Sequence, residues 1–333
     1  MKKVITMLAT ILVLVFTLSA QFKQAADNGQ VINARVVLET NDPTGGFNFS
    51  EDSSTLWLAA GRKAMQYEVA TGKLIRTLDF HSSDNPDWHM SNITSMVATR
   101  DRSLIASGDL DGNIKFWDPV SGKVLGTIPT VSQGSPVRSL QFNPAGDTLA
   151  NTNRSKLIYL WDVKTRRKKA TLDTGDNSTF EYLRYTPNGQ SLVTMDNAGR
   201  IRFYNATSGV LQKTYPVSTA IEQNRRTLFI SSSGLLLATG GEKQAYIYDS
   251  ATGKLKFTLP HEGWVVGVAF SHDNKWIATA SHDKTVKLWD AATGKIKATF
   301  EGHIGAVNNL AFSPDNKTLV TGAEGEGRLW DVP

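Results

Sequence analysis

Apolar and polar positions alternate most regularly between residues 276 and 295, in the segment WIATASHDKTVKLWDAATGK. Residues 276–281 are apolar and β-prone, residues 282–284 are polar, and residues 285–290 alternate with the period of two that is typical of a half-buried strand. Residues 291–294 end in a glycine, which adopts the positive φ of a tight turn at little cost. The pattern predicts two strands, each followed by a turn.

The same pattern recurs along the chain at a nearly constant interval. In each copy, the second of these two strands carries an aromatic residue near its end, and these residues stand 50, 44, 43, 44, 41 and 41 positions apart. They are Tyr67, Trp117, Trp161, Tyr204, Tyr248, Trp289 and Trp330. Because a unit of this size cannot bury its own hydrophobic face, a fixed period in the 40s predicts seven units that pack side by side.

The copies resemble the WD-repeat (WD40) family, since four of the seven aromatic residues are Trp followed by Asp. The resemblance covers roughly residues 31–333 and implies an all-β fold, a seven-bladed β-propeller of four-stranded antiparallel blades. The last copy stops directly after its third strand, whereas Ala34 to Thr40 (ARVVLET) is similar to the fourth strands of other copies. We expect this N-terminal strand to close the last blade, because closure removes an unpaired sheet edge.

The first thirty residues differ in character from the repeats. Met1 is followed by two lysines, residues 4–18 carry no charge, and small Ser19 and Ala20 precede a polar stretch. This layout predicts a signal peptide over 1–20, a flexible leader over 21–30 and a WD40 β-propeller domain over 31–333. The apolar run is shorter than a typical membrane span, so we expect a periplasmic or secreted protein. An uncleaved, membrane-anchored N-terminus is the alternative.

Charge and composition narrow the classes of partner and chemistry. The formal net charge is +5, and without residues 1–20, which hold two lysines, it is +3 (34 − 31). This mild excess predicts neither a nucleic-acid nor an anionic membrane partner. The chain has no cysteine, hence no disulfide or lipid-modified cysteine, and no nucleophile-elbow, phosphate-loop or zinc spacing. We therefore expect no catalytic residue, no cofactor and no metal.

In the WD-repeat family, a His before the first strand, a Ser or Thr on the second, an Asp in the following turn and the Trp of the third form a hydrogen-bonded set. The resemblance implies a complete set in the sixth copy, at His261, Ser281, Asp283 and Trp289. The second copy has His89, Asp111 and Trp117, with Asp109 in the serine position, and the third copy has Trp161. The seventh copy has His303 and Trp330, with Glu324 instead of Asp. We expect these residues to fix turns, because a buried imidazole and a buried carboxylate must satisfy each other. Acid–base dyads or metal ligands are the alternative, which recurrence at repeat spacing in separate blades disfavours.

Residues that break the repeat are the candidates for binding a partner. The longest departure is 81–92 (HSSDNPDWHMSN), which accounts for the interval of 50 residues. By resemblance, this connection and the turns between second and third strands open on the face where WD-repeat proteins usually bind partners, which we call the top face. The predicted partner-binding residues there are Asp87, Trp88, Arg138, Tyr182, Arg226, Trp264 and His282.

These observations predict a non-enzymatic scaffold, exported from the cytoplasm, that binds one or more proteins on its top face. A subunit of a larger envelope assembly is one form of this function. The first alternative is a carbohydrate-binding or cell-envelope-binding module, favoured by Trp88, Tyr182 and Trp264. The second is an enzyme with a site in the central channel or in the loop 81–92, where His81, Asp84 and Asp87 are the candidate metal ligands.

Overall fold

The computed structural model describes residues 30–39, 44–60, 63–79, 89, 91, 93–129, 135–153, 155–173, 179–196, 199–216 and 227–333. These residues form 29 strands, numbered β1 to β29 in chain order, in seven sheets. None of the described residues belongs to an apolar helix of membrane-spanning length. The predicted signal peptide and residues 21–29 of the predicted leader lie outside the described residues.

Six blades take their four antiparallel strands from consecutive segments of the chain. Blade one is β3 (Thr44–Phe49), β4 (Thr55–Ala60), β5 (Lys63–Glu68) and β6 (Leu74–Asp79); blade two is β7 (Ile93–Ala98), β8 (Ile105–Asp109), β9 (Ile114–Trp117) and β10 (Val124–Ile128); blade three is β11 (Ser139–Phe142), β12 (Thr148–Thr152), β13 (Leu157–Asp162) and β14 (Lys168–Asp173). Blade four is β15 (Phe180–Tyr185), β16 (Ser191–Asp196), β17 (Arg200–Asn205) and β18 (Leu211–Pro216); blade five is β19 (Leu228–Ile230), β20 (Leu236–Gly240), β21 (Gln244–Asp249) and β22 (Leu255–Pro260); blade six is β23 (Val265–Phe270), β24 (Trp276–Ser281), β25 (Val286–Asp290) and β26 (Ile296–Phe300).

Blade seven is assembled from both ends of the described chain. Its inner three strands are β27 (Asn309–Phe312), β28 (Thr318–Ala323) and β29 (Glu326–Asp331), and its outer strand is β2 (Val36–Glu39). β2 pairs antiparallel with β29, with Leu38 opposite Gly327. The predicted closure of the last blade by the N-terminal strand is therefore confirmed.

An additional strand was not predicted from the sequence. β1 (Gln30–Ile32) runs parallel to β26 and makes blade six five-stranded, with Val31 opposite Thr299. Ile32 packs against the buried cluster around Phe300. Three residues are too few to show a period, and Gln30 had been placed at the end of the leader.

The ring is held together by its inner strands and by hydrophobic side chains between blades. Each inner strand contacts the next around the ring, and β27 contacts β3 to complete it. At that seam, the amide of Asp315 donates to Ser53 Oγ at 3.1 Å. The seven repeat aromatics are all buried, with none more than 5% exposed, so the repeat interval corresponds to one buried aromatic in each blade.

The acidic residue that follows most of these aromatics shapes the outer turn. Asp290 Oδ1 accepts the amide of Thr293 at 2.8 Å, and Gly294 then takes a φ of 70°. Equivalent hydrogen bonds occur at Asp118, Asp162 and Asp249. A short side-chain acceptor and a residue that tolerates positive φ are what such a turn requires.

Candidate partner-binding site

Three histidines are buried between a carboxylate and a hydroxyl of their own blade. In blade six, His261 Nδ1 lies 2.8 Å from Asp283 Oδ2, and its Nε2 lies 2.7 Å from Thr279 Oγ1. Trp289 Nε1 donates to the same hydroxyl oxygen at 2.8 Å. Because an ionised carboxylate only accepts, we assign the proton to Nδ1, so the Thr279 hydroxyl donates to Nε2.

Blades two and seven repeat this arrangement with different acids. His89 Nδ1 lies 2.6 Å from Asp109 Oδ2, and His303 Nδ1 lies 2.7 Å from Glu326 Oε1. The hydroxyls come from Ser107 at 2.6 Å and Thr321 at 2.7 Å. Trp117 and Trp330 donate to these hydroxyls at 2.6 and 2.7 Å.

The hydroxyl of the sixth set is not the one expected from the sequence. Ser281 is buried on the same strand as Thr279 but two residues further on, and its hydroxyl instead accepts the amide of Asp283 at 3.1 Å. In all three blades the hydroxyl stands 18 residues after the histidine. This interval is constant because strand pairing fixes the hydroxyl opposite the imidazole.

The acids of the other two sets also differ from the expectation. Asp111 is exposed, while Asp109 at the end of β8 is buried and accepts the amide of Asn113 at 2.8 Å. Glu324 is exposed in the shorter turn of blade seven, and Glu326 reaches the imidazole from the first position of β29. The acid therefore stands 20, 22 or 23 residues after the histidine, depending on the length of the turn.

The environment keeps the pairs of blades six and seven as a neutral imidazole beside a carboxylate. Burial lowers the pKa of His261 and of His303, against the opposing effect of their acidic partners. Burial alone would raise the pKa of Asp283, but hydrogen bonds from His261 and Thr285 outweigh it, so the carboxyl pKa is lowered. Each imidazole, with both ring nitrogens engaged, is committed to holding its blade.

Blades three and four use other polar groups in the same region. Trp161 Nε1 donates to Asn151 Oδ1 at 2.7 Å in blade three. In blade four, buried Asp196 pairs with Arg200 at 2.8 Å and with Arg202 at 3.3 Å. Among the described residues, no group of three or more His, Asp or Glu side chains is arranged to hold a metal ion.

Two of the predicted partner-binding residues meet on the top face of blade six. The amide of His282 donates to the carbonyl oxygen of Trp264 at 2.8 Å. His282 Nε2 lies 3.2 Å from Asn308 Oδ1, which belongs to blade seven. This link joins the two blades, and the sequence analysis had not singled out Asn308.

Asn308 also lines a cavity of 370 Å³ beside the inner strands of blades four to seven. Tyr182, the predicted residue of blade four, lines it from the opposite side. The remaining lining residues are Arg184, Thr227, Phe229, Val266, Gly267, Asn309 and Leu310. Of the predicted residues, Tyr182 therefore lines this cavity, whereas His282 is linked to it through Asn308 and Trp264 through its backbone hydrogen bond with His282.

The other predicted residues fall into two groups. Arg138 lies at the start of the inner strand of blade three, the blade next to Tyr182. Asp87, Trp88 and Arg226 lie outside the described residues. The structure adds Ile304 to the candidate partner-binding residues, since this side chain is 72% exposed in the connection leading into blade seven. The sequence had not indicated Ile304, because a lone aliphatic residue in a polar loop forms no pattern.

Two family models match the chain. The PQQ_2 model, described as outer membrane protein assembly factor BamB, matches residues 63–299, and the model of the WD domain, G-beta repeat, matches residues 294–331. The first match covers most of the ring and the second covers the last blade.

Curated relatives agree with these matches. Nuclear distribution protein nudF of Aspergillus niger is 29% identical over 79% of this chain and 64% of its own length. Protein tipD of Dictyostelium discoideum is 34% identical over 73% of this chain and 40% of its own. Target of rapamycin complex subunit LST8 of Saccharomyces cerevisiae is 32% identical over 39% of this chain and 43% of its own. The chain thus spans less than two thirds of the length of each of these relatives. The repeat, the seven-bladed ring and these matches show that the chain is a WD-repeat β-propeller, which over most of its length also belongs to the PQQ_2 family.

Proposed function

We propose that this protein is an exported, non-enzymatic scaffold that binds a protein partner on its top face. The observation that carries the proposal is that Tyr182 and Asn308 line one cavity, while Asn308 also contacts His282, whose amide bonds to the carbonyl oxygen of Trp264. Aromatic side chains that are partly exposed beside a concave surface are typical anchors for a partner protein. Exposed Ile304, in the connection leading into blade seven, is a further apolar side chain available to a partner.

Two comparisons support the proposal. The relatives named as target of rapamycin complex subunits, LST8 and wat1 of Schizosaccharomyces pombe, are by name parts of protein complexes. The match to the BamB model supports export and a role as a subunit of an envelope assembly. Residues 1–20, with the layout of a signal peptide, support the same location.

The binding test is an affinity pull-down with the full chain from its native envelope fraction, with captured proteins identified by mass spectrometry. We expect a stoichiometric partner that is lost in the double variant Trp264→Ala/Ile304→Ala. Leu235→Ala is the control, because Leu235 is 66% exposed in the turn between the first two strands of blade five, which opens on the opposite face. Equal recovery with the double variant would remove this surface from the proposal, and enrichment of glycan fragments in place of protein would favour the carbohydrate-binding alternative.

Export is tested separately, by fractionating cells and sequencing the N-terminus of the accumulated chain. We expect the chain outside the cytoplasm, beginning at Gln21. A chain found in the cytoplasm with Met1 in place would refute export and leave partner binding untouched. A membrane-bound chain that retains residues 1–20 would support the anchored alternative.

A further inference from the structure

Arg184 occupies an unusual place on the inner strand of blade four. Its guanidinium lies over the ring of Phe229 in blade five, 5.5 Å from the ring centroid. Its Nη1 donates to the carbonyl oxygen of Leu183 at 2.8 Å. Both Arg184 and Phe229 line the cavity of 370 Å³, so the flat face of the cation is covered by an aromatic ring while its edge borders the cavity.

Among the described residues, the charge of Arg184 has no acidic counterpart. None of the described carboxylates forms an ion pair with this guanidinium, although Arg200, Arg202 and Arg328 each pair with one. Arg184 is only partly exposed, and burial lowers the pKa of its guanidinium. A partly buried cation without an acidic partner among the described residues is costly, so a site that keeps one is suited to an anion supplied from outside.

A second arginine points to the same chemistry. Arg138 lies on neighbouring blade three, and its Nε is buried without a hydrogen-bond partner among the described residues. The inner strands of blades three and four contact each other. Arg138 thus adds a second guanidinium group, with an unpaired Nε, on the blade next to Arg184 but outside the residues that line the cavity. Planar guanidinium groups match carboxylates in paired hydrogen bonds.

We propose that this cavity binds a carboxylate side chain of an acidic segment in a partner protein. The inference rests on the proposed scaffold function, because Asn308 both lines the cavity and contacts His282 of the proposed binding surface. Arg184, stacked on Phe229, receives the carboxylate, and Asn308 and Thr227 line the same space. The polar or charged lining residues are Tyr182, Arg184, Thr227, Asn308 and Asn309, and the volume of 370 Å³ has room for an acidic side chain while the rest of the segment lies on the top face.

The test uses the purified full chain and two end-blocked fluorescent peptides, one of Glu-Gly repeats and one of Gln-Gly repeats. We expect the acidic peptide to bind and the neutral one to bind at least about tenfold more weakly, since the second lacks the charge-assisted hydrogen bonds. Arg184→Gln should weaken binding of the acidic peptide roughly tenfold to a hundredfold, and Arg184→Lys should recover only part of it. Equal binding of the two peptides would refute the inference.

Arg166→Gln is the matched control. Arg166 also lies over an aromatic ring, 6.0 Å from the centroid of Phe116, but in the outer turn of blade three. It should bind the acidic peptide as the unaltered chain does. Thermal melting of each variant verifies folding, and a folded Arg184→Gln variant with undiminished binding would overturn the inference.

Two further results separate the inference from its foundation. Free succinate that competes as strongly as the peptide would refute the assignment to a protein segment and indicate a small dicarboxylate ligand. In the pull-down, a partner lost with Trp264→Ala but kept with Arg184→Gln would overturn the carboxylate site and leave the scaffold in place. A chain that captures no partner at all would contradict the scaffold itself.

Discussion

Replacing one hydroxyl in the centre of blade six should destabilise the protein far more than the same replacement in blade five. Thr279 and Thr239 occupy the same position on the second strand of their blades, and both are fully buried. Thr279 Oγ1 bonds to His261 and Trp289, whereas Thr239 Oγ1 has no hydrogen-bond partner among the described residues. Substitution by Val keeps the side-chain shape and removes the hydroxyl at either site.

The expected magnitude follows from the groups left unsatisfied. Thr279→Val strands the indole N–H of Trp289 and the Nε2 of His261, and a buried polar group that loses its partner costs about 1–3 kcal/mol. We therefore expect a loss of roughly 2–4 kcal/mol in the free energy of unfolding. Thr239→Val leaves no described partner behind and removes a buried, unpaired hydroxyl, so it should be neutral or stabilising by up to about 1 kcal/mol.

Urea unfolding followed by tryptophan fluorescence and circular dichroism measures both variants. We expect a lower midpoint without a change of slope for Thr279→Val, and a midpoint at or above that of the unaltered chain for Thr239→Val. A double-mutant cycle with Trp289→Phe should show coupling, because the two side chains share one hydrogen bond. Equal losses at the two threonines, or strict additivity with Trp289→Phe, would refute the assigned network.

Three further predictions concern acid, closure and packing. Burial keeps His261 neutral and lowers its pKa, so the imidazole takes up a proton more readily in the unfolded chain than in the folded one. Stability should therefore fall as the pH drops below the ordinary histidine pKa of 6.5. A urea midpoint that stays constant from about pH 8 to about pH 5 would contradict this prediction. Leu38→Ala in the closing strand should lower the free energy of unfolding by about 2–5 kcal/mol, because Leu38 is buried. Val37→Ala, at the exposed neighbouring position, should change it by less than about 0.5 kcal/mol in thermal unfolding, and equal effects would show that β2 does not cover the core. Gly240→Ala would place a methyl group against the carbonyl oxygen of Val265 and should lower the free energy of unfolding by about 1–3 kcal/mol. Gly46→Ala meets no atom within 4 Å and should be tolerated, so equal melting temperatures of the two variants would contradict the close approach at Gly240.

The contacts within a blade could largely be predicted from the sequence. The alternation of apolar residues locates the strands. The recurrence of the aromatic position, as from Trp289 to Trp330, gives the number of blades, because each unit must bury its aromatic against the next. The match of residues 34–40 to the fourth strands of other copies correctly predicted where β2 would pair. These features depend on local periodicity, which a single sequence displays.

Details within the hydrogen-bonded sets were less predictable, although they too lie inside one blade. The spacing of the family pattern placed the hydroxyl at Ser281 and the acid at Glu324, whereas strand register selects Thr279 and turn length selects Glu326. A displacement of two residues keeps a side chain on the same face of a strand. The apolar pattern is therefore the same for both choices, and only the paired strands show which hydroxyl faces the imidazole.

The sequence by itself determined the repeat and the number of blades, because both follow from one pattern of apolar residues that recurs along the chain. The strand order and the closure of the ring followed from the resemblance to the WD-repeat family and from the similarity of residues 34–40 to other fourth strands. Only the tertiary structure decided which residues of different blades share a cavity. Arg184 and Phe229 stand 45 positions apart (229 − 184), and Asn308 belongs to a third blade, yet all three line one space. Nothing in their separate repeats marks them, because their proximity is created by the curvature of the ring that brings the inner strands around one axis.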